Sequence, residues 1–300
     1  MIYIYNLSLG KYIIVHGGSK LPFGTTIQQN LHAFDTELSC WIKLDNHLDE
    51  KEDFIPEGVY GHSMVVVKDF LYIIGGTAGT QFFNSVHRFD LVEKKWEKVF
   101  EHIVMFNEEN NVPIGRYRHE CVTYMDRWIF MIAGGTSREV FSSRRVFVYD
   151  TVLKNWIQVQ TNKVQQDELN IRQFQPPEVR CHSLAIDGAN IYMIGGFIGT
   201  KSSDSIWKLN INPENLPGKL YNPKKLDIYW VKVRHNLPKA IFFHDSVFDA
   251  EYGEIFVFGG NSDTGKRNNM LSRFRVQPAT LEKISKKARD RICEKKITCF

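Results

Sequence analysis

This chain of 300 residues has no CxxC pair, no apolar run long enough to cross a bilayer, and no excess of either charge over most of its length. Its five cysteines (Cys40, Cys121, Cys181, Cys293, Cys299) are scattered and odd in number. That excludes a disulfide scaffold or a cysteine-built zinc site, and it reads as reduced thiols of an intracellular protein, cytoplasmic or also nuclear. The formal charge of +4 is carried by residues 282–296 alone, and the remainder balances to zero. A nucleic-acid-binding chain would be expected to carry a basic footprint, and none is present. The apolar start MIYIYNLSLGKYIIV is broken by Asn, Ser, Gly and Lys, so it reads as a β-hairpin and not as a signal peptide. HExxH, GxSxG and paired-carboxylate motifs are missing. GNSDTGKR (260–267) imitates a phosphate loop but places Arg267 where Ser or Thr should bind magnesium. No enzyme, no cofactor and no metal site is expected.

Glycine, in contrast, is patterned. Doublets stand at Gly17-Gly18, Gly75-Gly76, Gly134-Gly135, Gly195-Gly196 and Gly259-Gly260, and each ends an apolar run such as FLYIIGG or WIFMIAGG. A histidine precedes four of them (His62, His119, His182, His244). An aromatic-Asp pair and then a Trp follow three, at Asp35/Trp41, Asp90/Trp96 and Asp150/Trp156. A repeat of about fifty residues with paired glycines and a trailing Trp is the kelch signature, in which each unit is one β-propeller blade. The expected fold is all-β: a kelch-repeat propeller with five recognisable blades of an expected six, closed by a short C-terminal α-helix.

Within one unit, strand a (HSMVVV), strand b (FLYIIGG), strand c (SVHRFD) and strand d (KWEKV) are rich in β-branched and aromatic residues. Strand b is apolar on both faces, as befits the middle of a blade sandwiched by its neighbours. The Asp after strand c suits a turn whose amides its carboxylate can cap, and the Trp suits a plate between blades. The histidines are expected to bond backbone at the start of strand a and not a metal. Blades span about 1–52, 53–112, 113–175, 176–238 and 239–277. The first unit carries no His-Ser and the last lacks a Trp-bearing strand d, so a first blade and a closing strand are expected to be missing. NPENLPGKLYNPKKLD (212–227) reads as a surface loop. Residues 278–300 change texture, with Leu281, Ile284, Ser285, Ala288 and Ile292 on one helical face and basic residues on the other.

The residues ahead of each repeat histidine carry the one suggestive constellation. They read Val59-Tyr60-Gly61, Arg116-Tyr117-Arg118, Val179-Arg180-Cys181 and Ile241-Phe242-Phe243. In a propeller these stretches line one mouth of the central channel. Arg116, Arg118 and Arg180 would then face a cavity rimmed by Tyr60, Tyr117 and Phe243. Guanidiniums beside aromatics suit the carboxylate that ends an extended peptide. At about 1.5–3 kcal/mol for each charge-assisted bond, a few would support micromolar binding. Surface salt bridging is the bland alternative.

RYRHE with GGTS in one blade, YGHSMVVVKDFLYIIGGTAGT, and GKRNNMLSRFRVQPATLEKI after the last strand are more specific than glycine pairs. Through them the chain resembles the kelch-repeat substrate receptors of cullin-2 ubiquitin ligases. That resemblance implies a six-bladed propeller, recognition of C-terminal degrons ending in glycine, and recruitment of Elongin B/C and cullin-2 through a BC box. Thr280-Leu281-x-x-x-Ser285-x-x-Ala288 is similar to that box, with Leu281 as the main anchor for Elongin C, Ile284 and Ala288 on the same face, and Ser285 where Cys is preferred. The degron pocket carries over as Arg116, Arg118 and Arg180, and Arg138 replaces the Trp that follows GGTS in that family. The expected function is therefore a non-catalytic substrate adaptor. The alternative is a kelch scaffold for cytoskeletal or signalling partners with a merely docked helix.

Overall fold

The computed structural model describes residues 5–20, 27–45, 54–104, 111–161, 175–211 and 228–277. Among these the chain forms nineteen strands in five antiparallel sheets. Sheet one holds β1 (Tyr5–Leu9), β2 (Tyr12–His16), β3 (Leu31–Asp35) and β4 (Cys40–Lys43). Sheet two holds β5 (Ser63–Val67), β6 (Phe70–Thr77), β7 (Phe82–Asp90) and β8 (Trp96–Phe100). Sheet three holds β9 (Glu120–Tyr124), β10 (Trp128–Ile132), β11 (Arg145–Asp150) and β12 (Asn155–Gln160). Sheet four holds β13 (Ser183–Ile186), β14 (Asn190–Ile194), β15 (Ile206–Ile211) and β16 (Ile228–Lys232). Sheet five is a three-stranded meander of β17 (Phe242–Asp249), β18 (Glu254–Asn261) and β19 (Leu271–Arg275). First strands pack on first strands, β1 on β5, β5 on β9, β9 on β13 and β13 on β17. This is the blade order of a β-propeller, and no helix occurs among the described residues. The expected helix with Leu281, Ile284, Ser285 and Ala288 lies outside the described residues, as does the insertion at 212–227.

Each sheet is a meander because its turns are locally encoded. Asp35, Asp90 and Asp150 end their third strands, and Oδ1 of each accepts two turn amides: Glu37 and Leu38, Val92 and Glu93, Val152 and Leu153. Asp150 is fully buried and also binds Arg127 through two parallel bonds of 3.0 and 2.7 Å. Those bonds hold its carboxyl below the usual range against the opposing effect of burial.

A repeated joint connects one sheet to the next. The second glycine of a pair donates its N–H to the carbonyl three residues before the histidine of the following sheet. The four bonds are Gly18 to Val59 (2.9 Å), Gly76 to Arg116 (2.8 Å), Gly134 to Val179 (2.9 Å) and Gly196 to Ile241 (2.8 Å). These glycines have φ between 85° and 97°, and at Gly76, Gly134 and Gly196 the missing side chain makes room for the histidine of the same sheet. A Cβ on Gly196 would collide with Val179 and come within 2.8 Å of the His182 Cβ. The register shows that the pair in sheet three is Ala133-Gly134, not Gly134-Gly135. Ala133 takes the left-handed conformation (φ 55°) that Gly75 and Gly195 take elsewhere.

Tryptophan completes the joint. Trp96 packs with Ile14, Leu31 and Ala33 of sheet one, and Trp156 packs with Tyr72, Ile74 and Val86 of sheet two. Trp230 packs with Phe130 and Val148 of sheet three and donates its indole N–H to the Ser143 carbonyl at 3.0 Å. Trp230 is the fourth member of the series, separated from its unit by the insertion: it pairs Leu209 as Trp96 pairs Phe89 and Trp156 pairs Tyr149. These three are 4–6% exposed, whereas Trp41, the equivalent in sheet one, is 59% exposed. On sheet five, Val247, Phe258 and Leu271 are likewise exposed on the face turned away from sheet four.

If the glycine joint holds the ring, Gly196→Ala should lower stability by about 2–4 kcal/mol, from left-handed strain plus overpacking. Gly188→Ala, with nothing within 4 Å of its new Cβ, should cost about 1 kcal/mol. Equal losses in thermal or urea unfolding would show that close approach at Gly196 contributes nothing.

Candidate functional site

The four segments that lead into the first strands of sheets two to five superpose position by position. In the first position, Val59, Arg116, Val179 and Ile241 are buried, and their carbonyls accept the glycine bonds described above. In the second, Tyr60, Tyr117, Arg180 and Phe242 pair with the residue after the second glycine: Thr77, Gly135, Phe197 and Asn261. In the third, Gly61, Arg118, Cys181 and Phe243 all turn left-handed, with φ of 62°, 56°, 57° and 58°.

Third-position residues are linked directly to one another. Arg118 N–H donates to the Gly61 carbonyl (2.6 Å), Cys181 N–H to the Arg118 carbonyl (3.0 Å) and Phe243 N–H to the Cys181 carbonyl (3.0 Å). A backbone chain thus runs around the axis, one residue per sheet, and it draws residues some sixty apart in sequence to one opening. Non-glycine residues adopt this conformation at a cost of about 1–2 kcal/mol each. The hydrogen bonds from sheet to sheet compensate for that cost.

The side chains that meet there are cationic and aromatic. The Arg118 guanidinium lies over the Tyr117 ring at 4.7 Å and over the Phe243 ring, from two sheets away, at 4.6 Å. Its Nη1 also reaches Cys181 Sγ at 3.7 Å. Tyr117 sits edge-on to Tyr60 (6.2 Å) and to Phe82 (5.1 Å). Arg180 lies over Phe197 at 5.6 Å and donates to the Thr136 carbonyl at 2.6 Å. Phe197 contacts Phe242, which contacts Phe243. The structure therefore brings together Tyr60, Tyr117, Arg118 and Phe243, and it joins Arg180 to them through an aromatic row. Phe82 and Phe197 belong to the same rim and were not anticipated; Phe242 lies in a stretch expected to line the mouth but was not singled out.

Arg116 stands apart. Only 3% exposed, it donates to the carbonyls of Ile114 (3.0 Å) and Ala133 (2.8 Å). Its guanidinium is stacked on Phe141 (4.6 Å) and Phe147 (5.0 Å). Burial pushes its pKa down to about 9. It occupies the slot that Val59, Val179 and Ile241 fill elsewhere, and it braces sheet three instead of facing the mouth.

The thiol and the imidazoles of the lead-in segments lie in surroundings that disfavour their charged forms. Burial raises the Cys181 thiol to about 11, which leaves little thiolate for nucleophilic attack. His62, His182 and His244 are buried and held neutral, with pKa values pushed down to about 4, 3 and 4. The His244 ring bonds backbone as anticipated, but across the joint: its Nε2 lies 3.0 Å from the Ile194 carbonyl at the end of β14. Among the described residues no group of three or more metal-ligating side chains occurs.

Fold and site together define a kelch-type β-propeller with a cationic and aromatic mouth. The family model described as Attractin/LZTR1 beta-propeller matches residues 13–166, just over half of the chain, and the chain belongs to that family. It is similar to Kelch domain-containing protein 10 of Homo sapiens, 25% identical over 276 residues that cover 91% of this chain and 55% of the relative. The Drosophila melanogaster homolog of that protein is 29% identical over 284 residues, covering 90% of this chain and 43% of the relative. Leucine-zipper-like transcriptional regulator 1 of Pongo abelii is 22% identical over 241 residues, covering 80% and 25%. The chain thus spans about half the length of the first of these relatives.

The different surroundings of the arginines predict different losses. Arg116→Ala should destabilise the fold by about 2–4 kcal/mol, because it leaves a cavity and takes the donor from the buried Ala133 carbonyl. Arg180→Ala should cost no more than about 1 kcal/mol. Thermal melts of the two variants check this, and an Arg116→Ala protein as stable as the parent would remove the bracing role.

Proposed function

We propose that this chain is a non-catalytic substrate-recognition adaptor of a cullin-RING ubiquitin ligase, binding the C-terminal tails of its substrates at the propeller mouth. The observation that carries this reading is the Arg118 guanidinium stacked between Tyr117 and Phe243, with Arg180 on the adjoining aromatic row. Stacking holds a guanidinium by its faces, while carboxylates are recognised by N–H groups in its plane. Aromatic walls exclude water and favour small terminal residues such as glycine, which let the carboxylate approach closely. Elongin B/C and cullin-2 are the proposed partners, engaged through residues 280–288 with Leu281 as anchor; this rests on the BC-box resemblance.

The ring is proposed to take a sixth blade between sheets five and one. Support comes from the exposed Trp41, whose counterparts in sheets two to four are all covered by the preceding sheet, and from the exposed Phe258 and Leu271 on the opposite free face. With that blade supplied, Trp41 should be shielded from acrylamide quenching; unimpeded quenching there would remove this part of the reading.

The adaptor function is tested in two arms. Short peptides with free C-termini should bind at micromolar levels, and amidated copies at least tenfold more weakly, with the preference lost in an Arg118→Ala, Arg180→Ala double variant. Purified chain should capture Elongin B/C, and Leu281→Asp should abolish capture. Equal binding of free and amidated peptides rejects the tail model. Tail binding without Elongin capture would instead favour a kelch scaffold outside a ligase.

A further inference from the structure

The loops that follow the glycine pairs of sheets three to five carry four basic residues against two acidic ones. Each is closed by a backbone bridge, Gly135 with Val140, Phe197 with Ser202, and Asn261 with Arg267. Since Gly135, Phe197 and Asn261 also pair with Tyr117, Arg180 and Phe242, these loops stand beside the mouth. They present Arg138, Lys201, Lys266 and Arg267, all exposed, and among the described residues none of the four is in an ion pair.

Acidic groups of these sheets are Glu139, in the loop of sheet three, Asp263, in that of sheet five, and Glu120 and Asp245, each directly after the histidine that opens its sheet. Asp263 is already engaged, its Oδ1 accepting the Ser202 N–H at 2.6 Å and tying the loops of sheets four and five together. Arg180 ties the loop of sheet three to the mouth through the Thr136 carbonyl. The corresponding loop of sheet two, Ala78-Gly79-Thr80-Gln81, carries no charge at all. The opening is therefore cationic on one side only, and that side is held in shape by bonds between loops.

From this we infer that the mouth selects tails with acidic residues roughly three to five positions before the terminus. An extended peptide advances about 3.3–3.6 Å per residue, and the cationic loop tips lie a few residues beyond the bridges beside the mouth. Exposed charges act mainly through steering and partner choice, so the preference should be sensitive to salt. The inference rests on the tail-binding reading and narrows it to a substrate class.

Four synthetic peptides of one length, acidic or neutral upstream and free or amidated at the C-terminus, separate the two ideas by fluorescence polarisation. The acidic free tail should bind about tenfold tighter than the neutral free tail at low salt, falling to about two- to threefold at ~0.5 M salt. Charge reversal by Arg138→Glu with Lys201→Glu should invert the order. Equal affinity of acidic and neutral free tails, with free still better than amidated, overturns the acidic preference alone. Acidic peptides that bind better than neutral ones whether free or amidated would keep the preference and reject the carboxylate. Absence of binding by any peptide overturns both.

Discussion

Close approach of backbone to backbone between consecutive sheets is the constraint on which this molecule depends. At each of four joints a glycine with φ near 90° donates its N–H to a carbonyl in the next sheet, and at Gly76, Gly134 and Gly196 a side chain would strike the histidine of the same sheet. Removing the side chains lets the first strands stand near the axis while the later strands diverge. At the first three joints the diverging region is filled by one Trp each, 4–6% exposed. Glycine near the axis and tryptophan further out make the wedge, and a row of wedges makes a ring.

The mouth is a consequence of the same geometry. Because the first position of each lead-in segment is clamped through its carbonyl, the third position must turn left-handed to start its strand. Four such turns linked by hydrogen bonds bring Arg118 of sheet three against Phe243 of sheet five. A rim built on backbone bonds between sheets is preorganised, so less ordering cost falls on whatever binds there. Charge on this rim is uneven for a simple reason: the loops after the glycines bear no ladder bonds at their tips, so their residues are free to vary from one blade to the next.

Much of the fold was legible because its signals are local. Apolar runs ended by glycine pairs, Asp-capped turns and Trp spacings each act within a dozen residues, and the structure has one sheet for each unit. Errors arose where a signal was displaced. The motif AGG hid the register of sheet three, since Gly135 makes Gly134 look like the first member of a pair when it is the second. Trp230 was hidden by the insertion that separates it from its turn. Arg116 was assigned to the mouth by its chemistry, although its alignment with Val59, Val179 and Ile241 already marked an interior slot. Phe82 and Phe197 looked like ordinary strand and loop aromatics, and only their packing across sheets makes them part of the rim.

Sequence alone determined the class of fold, the number of sheets and their internal order, because hydrogen bonding within a meander joins near neighbours and is written in turn residues and periodicity. Tertiary structure decided which arginine points where. Arg116 and Arg118 are two residues apart and chemically identical, yet one is sealed between Phe141 and Phe147 and the other stands between rings at the opening. Their fates differ because a left-handed turn at Arg118, imposed by the bonds to Gly61 and Cys181, reverses the direction of the side chain. No feature of Arg118 itself favours that conformation, so it could be seen only once the neighbouring sheets were in place.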